Sequence, residues 1–231
     1  MKFAILADIH GNVTALEAVL ADCGKRGVDQ FILLGDLFTK GSRPREVYEC
    51  IRDLDIELSI LGNTEMWLFH TMKKSREKEM AAFTLSELNA EALNYCNSLE
   101  KINLRSWGSN LVTFVHDSCD TMIHEEKNKQ ELSANIIISG HTHLPLNTEI
   151  KQKSYFNPGS VGMPYDGINT ASYGILTVDC NVDFNIVRVP YDWRKEKEIA
   201  KRKCIPFCEE YCNIIEHGLK AMYKDRGDIT Y

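Results

Sequence analysis

The chain has 231 residues, 44% of them hydrophobic, with a formal net charge of −6. That length fits one domain burying roughly 70% of its unfolded surface, and the acidic balance argues against an extended nucleic-acid-binding face. No run reaches the roughly 20 apolar residues of a membrane span, and the opening Met1–Ala7 run is too short for an export signal and ends in Asp8.

The order of elements is legible from periodicity. Lys2–Ala7 reads as a buried strand, and Val13–Arg26 as a helix with apolar Leu16, Val19 and Leu20, stopped by Gly27. Phe31–Leu34 is a second strand, Pro44–Leu54 a helix with proline near its start, and Ile56–Leu61 a third strand. This strand–loop–helix rhythm predicts a parallel sheet with helices packed on it, whose ligands gather at the carboxyl ends of the strands. Residues 65–101 are charged and helix-prone, with amphipathic pieces at Met66–Phe69 and Leu85–Leu99, and predict a helical cap. Its aromatic residues Trp67, Phe69 and Phe83 either stack on a ring of the substrate or fill the core of the cap. Strands return at Leu111–Val115, Ile136–Ser139, Ser154–Phe156, Ala171–Val178 and Val182–Val189. Residues 193–231 form a tail, helical over Trp193–Tyr223 and broken at Pro206, that packs back on the domain or pairs two subunits in a homo-oligomer. Nothing marks a domain boundary, so residues 1–231 are read as one domain.

Eight cysteines are scattered without a CxxC pair, so reduced thiols and a cytoplasmic setting are expected. Cys204, Cys208 and Cys212 recur every fourth residue. Read as a metal site they lack a histidine and contain Pro206, so a small apolar helical stripe is the expectation.

Five motifs follow strand ends: Asp8-Ile9-His10, Gly35-Asp36, Gly62-Asn63, His116 and Gly140-His141-Thr142-His143. They supply two carboxylates, one amide and four imidazoles, a ligand set for two adjacent divalent ions. Carboxylates can bridge two cations, and imidazoles suit Mn, Fe, Co, Ni and Zn. The lack of thiolate argues against a structural zinc site. Asp8 and His10 stand two apart, as do His141 and His143, and in extended chain each pair would point the same way.

In order and spacing these motifs resemble the calcineurin-like metallophosphoesterase superfamily over about the first 190 residues. The Asp8-Ile9-His10-Gly11-Asn12 start, the Asn157-Pro158-Gly159-Ser160-Val161-Gly162 loop and the Tyr173-Gly174-Ile175-Leu176 strand are similar to its small bacterial and archaeal phosphodiesterase branch. The resemblance implies an α/β/β/α sandwich of two sheets flanked by helices. It implies Asp8, His10, Asp36 and His143 around a first metal, and Asp36, Asn63, His116 and His141 around a second, with Asp36 shared. It further implies hydrolysis of a small phosphate ester by a hydroxide bridging two metal ions, with manganese first among the metals. Asn12, Lys40 and Asn63 are the expected phosphate contacts; Lys40 would act as a point charge, or else be a solvated loop lysine.

Two departures bear on substrate. Much of the superfamily places a histidine after the motif asparagine to protonate the leaving group, and here that residue is Thr64. The protein-phosphatase branch carries Asp-Arg-Gly after the bridging aspartate, and here Thr39-Lys40-Gly41 stands there. General acid catalysis is worth about 10²–10⁴ in rate, so leaving groups that need little protonation are favoured, with a water or His10 recruited as the acid. Phosphodiesters are therefore the expected substrates; a phosphomonoesterase, a protein phosphatase and an inactive scaffold of the same fold are the alternatives.

Overall fold

The computed structural model describes residues 1–117 and 134–218. Among the described residues ten strands form two five-stranded sheets. The strands are β1 (Lys2–Leu6), β2 (Gln30–Leu33), β3 (Ile56–Ser59), β4 (Ile102–Trp107), β5 (Asn110–Val115), β6 (Ile136–Ser139), β7 (Leu146–Ile150), β8 (Lys153–Asn157), β9 (Ala171–Val178) and β10 (Val182–Val189). The first sheet runs β10-β9-β1-β2-β3 and the second β4-β5-β6-β8-β7. The expected parallel run is β1-β2-β3, and the antiparallel hairpin β9–β10 extends it, so the sheet is mixed rather than parallel throughout.

Period-two burial shows how the layers pack. Along β1, Phe3, Ile5 and Ala7 join Ile32, Leu34, Val112, Phe114, Ile136 and Ile138 in the core between the sheets. Ala4 and Leu6 face the other way, against the helices. Those helices are α1 (Val13–Arg26), α2 (Pro44–Ile51), α3 (Asn63–Met66), α4 (Ser75–Glu87) and α5 (Ala90–Ser98). Helix α1 begins where the Asn12 side chain accepts the Ala15 N–H at 3.0 Å and ends at Gly27, φ 63°, a left-handed stop that glycine adopts without strain.

The cap consists of α3–α5. Its predicted Leu85–Leu99 helix is two helices, because Leu88 is extended and the Asn89 side chain caps α5 by accepting from Ala92 N. Trp67 packs on the helix-side core, Phe83 packs against the tail, and Phe69 is exposed. The tail forms α6 (Trp193–Lys203) and α7 (Cys208–His217) and folds back on its own chain, with α6 against α1. Cys204 caps α6 in a left-handed conformation while Cys208 opens α7, so the cysteine stripe is split between two helices; the Cys208 and Cys212 sulfurs lie 3.8 Å apart. The continuation of the tail helix to residue 223, Cys119 and His124 lie outside the described residues. Among the described residues no helix is long and apolar enough to cross a membrane.

Candidate metal centre

Every expected ligand sits just beyond a strand. Asp8 and His10 follow β1, Asp36 follows β2 and Asn63 follows β3, all in the first sheet; His116 follows β5, and His141 and His143 follow β6, in the second. The loops carrying them are not extended. Asp8 (φ 54°), His10 (48°), Asp36 (53°), His141 (69°) and His143 (59°) are all left-handed, and Lys40 has φ 90°. Such non-glycine conformations cost of order 1–3 kcal/mol each and persist where the surroundings over-determine them. The extended arrangement expected for the two paired motifs is replaced by tight turns.

Close loop packing explains the turns. A Cβ on Gly35 (φ 85°) would lie 2.5 Å from Gly62 N and 2.9 Å from His116 Nδ1, so the loops after β2 and β3 touch only because the residue is glycine. The Asn157–Gly162 loop clasps two ligand loops at once. Ser160 Oγ donates to Asp8 O at 2.7 Å, Gly162 N to Asp8 O at 3.0 Å, and Asn157 Nδ2 to Gly140 O at 2.7 Å.

The side chains converge. His143 Nε2 lies 3.2 Å from Asp8 Oδ1, and His10 Nε2 lies 3.1 Å from His143 Nε2 and 3.6 Å from Asp36 Oδ2. The other Asp36 oxygen, Oδ1, is 3.3 Å from His116 Nε2. Asn63 Oδ1 is 3.1 Å from His116 Nε2 and 2.8 Å from His141 Nδ1. Asp8–His10–His143 and Asp8–Asp36–His116 each form a compact group of buried ligand atoms. Asp36 thus turns one oxygen toward each group.

The donor set fits a pair of cations. His10 Nδ1 donates to Thr39 O at 2.9 Å and His143 Nδ1 to Met163 O at 2.5 Å, which turns the two Nε2 atoms toward each other at 3.1 Å, the arrangement of two imidazoles sharing a cation. Asp8 Oδ1 is buried and accepts no hydrogen bond. Lone pairs and carboxylate oxygens meeting in a buried space repel unless a cation lies among them. Burial and the Lys40 charge hold His10 well below the ordinary imidazole range, and burial and His116 lower His141, both consistent with neutral ligands. Burial raises Asp36, but His116 outweighs it and holds the carboxyl well below the usual range. Burial alone would lower His116; the charge and hydrogen bond of Asp36 overcome it and raise it to about 10 in the metal-free protein.

Three expectations change. Asn12 is fully buried, and its side chain is occupied by Ala15 N, Gly162 O at 2.9 Å and Tyr191 OH at 3.3 Å, so it positions the loop and has no atom left for phosphate. His10 faces a backbone carbonyl with one nitrogen and the metal group with the other, which suits a ligand and not a general acid. Lys40 is not a solvated loop residue: it is half-buried and its Nζ lies 3.3 Å from His10 Nε2. The two threonines that replace the acid pair, Thr39 and Thr64, are both fully buried, with Thr39 Oγ1 3.5 Å from Thr64 O.

One residue at the centre escaped the motif reading. Glu65 is buried, and its carboxylate accepts from Asp36 N at 2.8 Å, Leu37 N at 2.8 Å, Phe38 N at 3.4 Å and Gly62 N at 3.1 Å. It ties the Asp36 loop to the start of α3. Burial and the neighbouring Asp36 charge push its carboxyl up to about 7. The available signal was its place three residues after Gly62, the acidic half of a capping box.

Comparison with known proteins agrees with this geometry. The calcineurin-like phosphoesterase superfamily domain matches residues 1–181. A protein of Methanocaldococcus jannaschii is 31% identical over 228 residues, covering 88% of this chain and 93% of its own. The phosphodiesterase YfcE of Escherichia coli is 28% identical over 189 residues, covering 78% and 89%. The crystal structure of a metallophosphoesterase from Sphaerobacter thermophilus superposes with a TM-score of 0.77 at 28% identity, covering 95% of this chain and all (100%) of that one. With a match over most of the chain and the motif residues gathered at the strand ends, the protein belongs to the calcineurin-like phosphoesterase superfamily.

Proposed function

We propose that this phosphoesterase hydrolyses small phosphodiesters at a centre of two divalent ions, held by Asp8, His10, Asp36 and His143 on one side and by Asp36, Asn63, His116 and His141 on the other. The observation that carries this reading is the meeting of the His10 and His143 Nε2 atoms beside the Asp8 and Asp36 carboxylates. When bound, such ions supply an activated water and neutralise charge on the phosphate. Manganese heads the metals that the donors suit, with Fe, Ni, Co and Zn matching the same set.

The chain's own residues do the rest. Backbone carbonyls at Thr39, Leu34 and Met163 fix the tautomers of His10, His116 and His143, so the ligand nitrogens point inward before any substrate arrives. Lys40 stands beside the first group with its ammonium available to a phosphate oxygen. Thr64 is buried and a threonine hydroxyl is a poor acid near neutral pH, so the chain offers no strong acid at that position. That absence favours diesters with good leaving groups, and YfcE, named a phosphodiesterase, lends support from a relative. With manganese supplied, bis-p-nitrophenyl phosphate should be hydrolysed faster than p-nitrophenyl phosphate. A strong monoester preference would overturn the diester reading, and two bound metals without hydrolysis of either ester would favour a scaffold.

A further inference from the structure

We infer that a cleft beside the metal centre receives a neutral, ring-bearing arm of the phosphate ester. This rests on the phosphoesterase reading above and names the part of the substrate that the cap and tail select. The cleft holds about 230 Å³ and is walled by Trp67 and Met80 from the cap, Tyr165 from the loop after Gly162, and Phe207, Tyr211 and Ile214 from the tail. Drug-sized ligands fill roughly 300–1,000 Å³, so this space suits one ring system.

Three contacts join the cleft to the metal centre. The Tyr165 ring stacks on His143 with centroids 4.1 Å apart and planes 5° from parallel. Met163, also in the wall, takes the His143 Nδ1–H on its carbonyl. Lys40 lines the cleft and reaches to 3.3 Å from His10 Nε2. An ester whose phosphorus lay at the metals would therefore have this space open to one of its arms.

Charge decides what kind of arm. Arg76 is paired with Glu210 and also lies over the Phe207 ring at 4.3 Å, and Lys74 is paired with Glu77 at 3.4 Å. These pairs cancel within the wall. Among the described residues only Lys40 of the cleft's cations lacks a carboxylate within 4.0 Å, and it stands at the end nearest the metals. The far end thus has no spare cation for a second phosphate or carboxylate. It offers flat aromatic faces instead, and stacking on such faces is tolerant of ring identity.

The test compares phenylphosphonate with methylphosphonate on the manganese-loaded, full-length protein. The two share a head group and differ only in the ring. Binding is read by calorimetry, and separately as competition against bis-p-nitrophenyl phosphate hydrolysis. The wild type should bind the phenyl compound about five- to a hundredfold more tightly, the range that aromatic stacking supports. Phe207→Asn, which suits the left-handed conformation of that residue (φ 57°), and Trp67→Leu should each bring the ratio toward one, measured at a temperature well below the melting point of each variant. Equal binding of the two phosphonates by wild type, or a ratio unchanged in both variants, would overturn the cleft assignment even if ester hydrolysis is found. A phenyl preference by calorimetry without hydrolysis would uphold the cleft and overturn only the phosphoesterase reading.

Discussion

Glu196 ties the tail to the metal loops, and its removal should be among the costliest single changes outside the ligands. The residue is fully buried on α6. Its Oε2 accepts from Arg43 at 2.7 Å and Thr14 Oγ1 at 2.7 Å, and its Oε1 from Ser42 Oγ at 2.6 Å and Tyr211 OH at 3.2 Å. Burial, with the Glu196 charge, holds the Tyr211 phenol well above its ordinary range. Glu196→Ala would leave the Arg43 guanidinium, only 14% exposed, without its counter-ion. Breaking a buried pair from one side costs about 3–5 kcal/mol. At roughly 2–4 °C per kcal/mol for a chain of this size, the melting temperature should fall by about 6–20 °C. Glu196→Gln should cost less, because its carbonyl can still face Arg43 and Thr14 while its NH2 meets two hydroxyls able to accept. Replacing the pair together, Arg43→Met with Glu196→Leu, should recover the part of the loss that comes from the unpaired charge, while the Thr14, Ser42 and Tyr211 hydroxyls still lose their acceptor. Urea unfolding of wild type, Arg43→Met, Glu196→Leu and the double variant with a common m-value supplies the cycle. If Glu196→Ala costs under about 1 kcal/mol, or the double variant is no better than the single, the network is not the coupled unit described.

Other outcomes follow from the centre itself. Asp36→Asn should lose metal at both positions, because one oxygen faces each group; metal content by mass spectrometry, expected to drop from two per chain, checks this. Gly62→Ala would drive a Cβ into the Asp36 backbone nitrogen and Oδ1, so metal affinity should fall and stability drop by about 1–3 kcal/mol, read by titration and melting. In metal-free protein the His116 pKa is raised, from 6.5 to about 10. The stability it contributes is then complete below 6.5 and lost as pH rises through 10. The gap in melting temperature between wild type and His116→Asn, both chelated, should shrink across that window; a gap that widens would show that the pair with Asp36 is not what stabilises it.

The sequence disclosed the ligand loops because each combines a strand end with chemistry that strands alone do not need. Strands β1, β6 and β9 were visible as apolar runs because they are buried along nearly their whole length, whereas β10, at a sheet edge, alternates apolar and polar residues. Strand β7 is an edge strand with mostly exposed residues, and β4 is only half-buried, so neither carries a readable pattern. The left-handed backbone at Asp8, His10, Asp36, His141 and His143 has no local signature, because contacts between loops impose it. Asn12 was misassigned for a related reason: its motif position is beside the ligands, but its amide is used by a helix end and a distant loop. Glu65 and Glu196 were missed because a buried carboxylate is recognised by the groups that surround it, and those come from elsewhere in the chain.

The division of the ligands between the two sheets bears on when the centre can come into being. Both compact groups mix the sheets: Asp8 and His10 with His143, and Asp8 and Asp36 with His116. His10 and His143 are separated by 133 positions. A growing chain that has made only β1–β3 therefore owns two of the three members of each group and closes neither. Under the two-ion reading proposed above, tight metal uptake would wait until the second sheet has docked, and the ions would act as a rivet set last, opposing the parting of the two layers rather than the unravelling of either.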